Sequence, residues 1–171
     1  MICIFCVACS PSSDQTDFCE DFLFELYTSN INERYALYED RISAIDFGAE
    51  GQSGVLQDAM DTYYSNFKPI CTDLAYEKLL KSALPMAIDK ACLDNKVTVT
   101  PISVQLTSAK ESSTGAEQYY DYELTIRLSG AAEEDFVVLG SIAVGEENGT
   151  SLISVHVPTN DKALFEKLRS T

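Results

Sequence analysis

The sequence predicts an α+β domain, with N-terminal helices packed on a curved four-stranded antiparallel sheet and a short C-terminal helix. Three observations carry this reading. Through residues 17–95 apolar side chains recur at three and four, the period of a helix buried along one face. From Val97 the period falls to two, that of a strand. No helical stretch separates one strand from the next, so the strands pair as an antiparallel meander and not through the crossovers a parallel sheet needs.

Asp17 to Thr28 reads as the first helix. Asp17 and Glu20 have capping-box spacing, and Phe18, Phe22 and Leu26 form a stripe flanked by Leu23 and Tyr27. Asn30 opens a second, through Tyr35, Tyr38, Ile42 and Ile45, with Gly48 as its stop. The AEGQSG loop that follows lacks the glycine and lysine spacing of phosphate cradles. Ser53 caps a third helix, with Val55, Leu56, Ala59, Met60, Tyr63 and Phe67 as its stripe, and Pro69 ends it. Thr72 or Asp73 starts a fourth, through Tyr76, Leu79, Leu80 and Leu84. Pro85 kinks that helix or divides it from Met86–Asn95.

In Val97–Leu106 the apolar phase shifts across Pro101, which reads as a bulge or an edge. Ser108–Gln118 is a polar hairpin loop. In the second strand Tyr120, Tyr122, Leu124, Ile126 and Leu128 alternate with polar residues, giving one wet face. Asp135–Val144 is apolar on both faces and should be the more covered strand. Glu146–Gly149 is a turn. Leu152–Val157 is the last strand, with Ile153, Val155 and Val157 on one face. Asn160 or Asp161 begins a terminal helix, with Leu164, Phe165 and Leu168 inward.

Composition sets the outer bounds. With 171 residues, 46% of them hydrophobic, the chain suits one domain with a proper core. Its 27 acidic and 12 basic residues leave a net charge of −15. That excludes nucleic acid, which needs a basic footprint, and adsorption of the domain to anionic membranes. No apolar run approaches the ~20 residues of a spanning helix.

The opening MICIFCVACS admits three readings. Cys3, Cys6 and Cys9 follow part of an iron–sulfur spacing, but the fourth cysteine and any neighbouring His are missing. A buried strand fits the apolar run, but the SPSSDQTD behind it looks like a linker. The favoured reading is an export signal, an apolar run ending in small residues. Val7-Ala8-Cys9 resembles the lipobox of bacterial lipoproteins, with Cys6 where leucine is usual and no Lys or Arg ahead of the run. The resemblance implies lipidation of Cys9 and a lipid anchor on the extracellular face of the bacterial cell membrane. The expected organisation is a signal remnant over 1–9, a linker over 10–16 and one α+β domain over 17–171.

The element order over Asp17–Val157, the Tyr-rich first helices and the kinked strand before a long hairpin are similar to the cystatin-like family of nuclear transport factor and ketosteroid isomerase. That resemblance implies a cone whose sheet encloses a pocket. Isomerases of that family use a cavity Asp with Tyr donors, so Tyr35, Tyr38, Asp40 and Asp46 are candidate pocket residues. The plainer reading makes these tyrosines core and these acids surface.

His156, the only histidine, is the remaining candidate, as a base or ligand or as an ordinary strand residue. It is expected on the face opposite Ile153, Val155 and Val157. A single His makes a zinc site improbable, and no residue pattern calls for a cofactor. Beyond the signal, Cys19, Cys71 and Cys92 make an odd set, and helical arms between Cys71 and Cys92 would hold that pair apart. Three separate buried thiols are favoured.

The expected role is an envelope lipoprotein whose domain binds a small ligand or a protein partner. Alternatives are an isomerase- or hydrolase-like enzyme and a structural envelope subunit. A binder should show an apolar pocket, an enzyme a buried carboxylate beside a tyrosine or His156, and a structural subunit a filled cavity with an exposed apolar sheet face. Oligomeric state is not encoded legibly.

Overall fold

A computed structural model describes residues 13–43, 52–111 and 117–170. Cys9, Asp46 and the Gly48 stop lie outside the described residues. The fold is α+β. Helices come first, then an open antiparallel sheet in the order β1-β2-β3-β4, then one helix.

Helix α1 spans Ser13–Tyr27, so it begins inside the stretch read as linker. Its stripe buries Cys19, Phe22, Leu23, Leu26 and Tyr27. The second helix is not uniform. Ile31–Tyr35 forms a π turn, closed by the Tyr35 N–H donating to the Asn30 carbonyl at 3.0 Å, and α2 continues over Ala36–Ser43. Helix α3 spans Gln52–Tyr63, and a short 3₁₀ turn at Lys68–Ile70 follows.

Helix α4, Asp73–Ser82, starts at Thr72, whose hydroxyl accepts from the Ala75 N–H, as an N-cap should. The expected kink or division is a full break. Ala83 takes a left-handed φ of 50°, and α5 runs over Leu84–Asn95 with Pro85 in its first turn, where a missing N–H costs nothing.

The strands are β1 (Thr98–Glu111), β2 (Glu117–Ser129), β3 (Glu133–Glu147) and β4 (Thr150–Pro158), and α6 spans Asp161–Ser170. The first hairpin is longer than expected, because pairing runs on to Glu111↔Gln118 through residues read as loop. The phase shift at Pro101 is a register shift between Pro101 and Ser103 on the edge strand.

One face of β2 is sealed: Tyr120, Tyr122, Leu124, Ile126 and Leu128 are all buried under the helices. β3 departs from expectation. Val138 and Ile142 are buried, but Val137 and Leu139 are 43% and 40% exposed on the open face. The helices pack on one side of the sheet, so Val137 and Leu139 on its other side stay wet whatever their sequence suggests.

The largest departure is in β4. Val144 pairs with Ile153 and Ala143 with Val155, so Ser154 is an extra residue in the strand. The bulge reverses the alternation. His156 pairs with the buried Ile142 and turns to the helix side with Ile153, while Val157 is 51% exposed. The expectation that His156 lies opposite Ile153 is therefore corrected. Cys19, Cys71 and Cys92 are buried free thiols, and burial pushes each up to about 12.

Candidate functional site

Two buried polar clusters lie under the helices, and the sequence-derived candidates divide between them. The first centres on Asp89 of α5, which is fully buried. Its Oδ1 accepts from the Asn30 backbone N–H at 2.7 Å. Its Oδ2 accepts from the Tyr63 hydroxyl at 2.5 Å and from Arg34 Nε and Nη2 at 3.3 and 3.2 Å. Arg34 is also engaged by Glu25 Oε1 and the Thr28 carbonyl, both at 3.3 Å. Its guanidinium lies over the Tyr63 ring at 4.9 Å. The π turn places Arg34 here, and the Asn30 side chain holds that turn by accepting from the Arg34 N–H.

Above this cluster lies a shallow cleft of about 240 Å³, lined by Arg34, Tyr38, Arg41, Thr62 and Tyr63 among others. Tyr38 reaches it and packs edge-on against Tyr63 at 5.9 Å. Tyr35 does not line it. That residue is buried beside Tyr38, its hydroxyl pushed up by burial and then by Glu39. Asp40 is exposed on α2. Among the described residues of this helix, Tyr35 faces the core, Tyr38 borders the cleft and Asp40 faces solvent, so these three form no shared cavity.

The second cluster is neutral. Tyr27 of α1, Tyr122 of β2 and His156 of β4 form a chain. The Tyr27 and Tyr122 hydroxyls are 3.3 Å apart, and the Tyr122 hydroxyl is 3.0 Å from His156 Nε2. The Tyr122 and His156 rings are near parallel, and Phe22 meets the imidazole edge-on at 5.6 Å.

Gly140 makes room for this. It pairs with Tyr122, and a Cβ there would fall 2.5 Å from the Tyr122 ring and hydroxyl. A glycine inside an apolar strand is the sequence sign of such close approach, and it is the one signal that points to this cluster. Burial in these apolar surroundings pulls His156 down to about 4 and pushes Tyr122 up to about 12. At neutral pH all three members are uncharged.

His156 opens on an enclosed, mainly apolar cleft of about 120 Å³ between α4, α5, β4 and α6. Phe22, Leu79, Leu84, Ile153 and Phe165 supply its walls. Lys78 and Asp161, of opposite sign, also line it. Asp161 accepts from the Lys162 backbone N–H at 2.8 Å. The arrangement can hold a small apolar group against a neutral hydrogen-bonding end.

Among the described residues the imidazole of His156 hydrogen-bonds Tyr122 and no carboxylate of the kind that orients a catalytic imidazole, although Asp161 lines the same cleft. Among the described residues no cluster of His, Cys, Asp and Glu could hold a metal ion, and no helix is long and apolar enough to cross a membrane.

No family model matches the chain, and no curated protein matches it. Among solved structures, a periplasmic fragment of TraM aligns with it at a TM-score of 0.45, with 11% identity over 85% of this chain and 94% of that one.

Proposed function

We propose that this chain is a bacterial cell-envelope lipoprotein, anchored through Cys9, whose α+β domain binds a small ligand or an apolar side chain of a partner. The cleft beside His156 carries the binding half of the reading. It is enclosed, largely apolar and ends in a polar group, the usual anatomy of a small-molecule site. An apolar cavity of about 150 Å³ is known to stay dry and take up benzene, so a site of about 120 Å³ suits a compact ring or a short chain end. The Val7-Ala8-Cys9 pattern supports the anchor.

The enzyme alternative would need the buried carboxylate–tyrosine pair that does exist at Asp89 and Tyr63. There, however, both carboxylate oxygens are already engaged, and the pair lies outside the apolar cleft.

Titrating the full chain with cyclopentane should shift the methyl resonances of Leu79, Leu84 and Ile153 saturably, and Ala75→Phe, which fills the cleft, should abolish the response. Absence of saturable shifts in the parent protein would remove the binding reading. Metabolic labelling with a fatty-acid analogue should tag the parent and spare Cys9→Ala; equal labelling of both would remove the anchor.

A further inference from the structure

The polar end of the cleft limits what it can hold. Resting on the ligand-cleft reading above, we propose that the site takes an uncharged, compact apolar molecule bearing a single hydroxyl or carbonyl oxygen, recognised by the second ring nitrogen of His156.

Of the two imidazole nitrogens, Nε2 is engaged by Tyr122. Nδ1 has no hydrogen-bond partner among the described residues and is not among the sealed polar atoms, while the residue lines the cleft. A neutral imidazole carries one N–H and one bare nitrogen. When the Tyr122 hydroxyl donates to Nε2, the hydrogen sits on Nδ1, which donates to a carbonyl or hydroxyl oxygen. When Nε2–H donates to Tyr122, Tyr122 donates onward to Tyr27, and Nδ1 accepts from a hydroxyl. Either arrangement satisfies the Tyr27–Tyr122 contact, because either hydroxyl can be the donor there. The chain of three groups therefore serves both head groups through a reversal of its hydrogens.

Two of the other polar groups at the cleft are already engaged. The Ser82 hydroxyl donates to the Leu79 carbonyl at 2.9 Å, and Asp161 is held by Lys162 N–H. Lys78 and Asp161, of opposite sign, both line the cleft, so its lining carries no net formal charge.

Three probes of one skeleton test this: cyclopentane, cyclopentanone and cyclopentanol, each titrated into the full chain with cleft methyls as the readout. His156→Leu should weaken the ketone and the alcohol about tenfold, the scale of one unmet hydrogen bond in an apolar site, and leave cyclopentane within about twofold. Tyr122→Phe keeps the imidazole but removes the partner that orients it. It should weaken the two oxygenated probes about threefold or more and leave cyclopentane unmoved. Should the leucine variant fail to fold, the phenylalanine variant decides. If the variants weaken all three probes alike, or none, the head-group assignment falls and the cleft stands. If cyclopentane itself does not bind the parent protein, the cleft reading falls and takes this one with it.

Discussion

The two buried polar clusters are built on opposite plans. Around Asp89 every strong hydrogen-bonding valence is spoken for: a cation, a phenol and a backbone amide converge on one carboxylate. Around His156 the chain of groups is neutral, and one end is open to a cleft. A saturated cluster has nothing left to offer a ligand and acts as architecture, fixing the π turn against α5. An open-ended one, in apolar walls, retains capacity to bind. Burial alone therefore does not mark a site; unspent hydrogen-bonding capacity facing a void does.

The sharpest way to break the comparison is to remove Asp89. Asp89→Ala leaves Arg34 buried with only Glu25 as its ionic partner, and the loss should be about 3–5 kcal/mol in urea unfolding. A loss below 1 kcal/mol would mean the cluster is not structural.

Acid should next separate the two clusters. His156 binds its proton near pH 4 when folded but near 6.5 when unfolded. Below 6.5 the unfolded chain holds the extra proton, so stability falls as pH drops from 6.5 toward 4, and this contribution is flat above that window. At ~1.4 kcal/mol per pH unit, the loss approaches about 3 kcal/mol at the acid end. His156→Gln should flatten that slope relative to the parent; parallel pH profiles would contradict the buried neutral imidazole.

Gly140→Ala tests the packing that lets Tyr122 reach His156. The added methyl would meet the Tyr122 ring at 2.5 Å and the Val157 carbonyl at 2.6 Å, and should cost about 2 kcal/mol. A crystal structure with Tyr122 unmoved, or an unchanged melting midpoint, would count against it.

The smallest and most diagnostic contrast lies in adjacent residues. Tyr63→Phe removes a donor to Asp89 and should cost about 1–3 kcal/mol. Tyr64 is equally buried, but its hydroxyl has no partner among the described residues, so Tyr64→Phe should be neutral or stabilising by up to about 1 kcal/mol. Equal losses would erase the distinction between a saturated hydroxyl and an orphaned one.

How much of this was legible follows from the range of each signal. The helix stripes and the Tyr120–Leu128 alternation were readable because burial of one face imposes a local period. Pro101 announced its bulge, since proline cannot donate to a ladder. The Ser154 bulge carries no such residue, so simple alternation puts His156 on the wrong side of the sheet. The π turn at Ile31–Tyr35 is likewise silent, because no residue type demands it. The pairs Arg34–Asp89 and Tyr122–His156 join residues 55 and 34 positions apart, which no periodicity can connect. The open-face exposure of Val137 and Leu139 depended on which side the helices chose, a tertiary fact.

The Tyr27–Tyr122–His156 chain also dictates an order of assembly. Its members come from the first helix, the second strand and the last strand, with Phe165 of α6 closing the cleft beside them. A ribosome delivers these pieces in sequence, so a nascent chain can complete the β1–β2 hairpin while the cleft beside His156 still lacks its floor. The Asp89 cluster, made from residues 25–89, is finished much earlier. The molecule thus secures its framework well before the cleft exists. A chain interrupted before Thr150 would present the apolar walls of α4 and α5 uncovered, as a surface for chaperones.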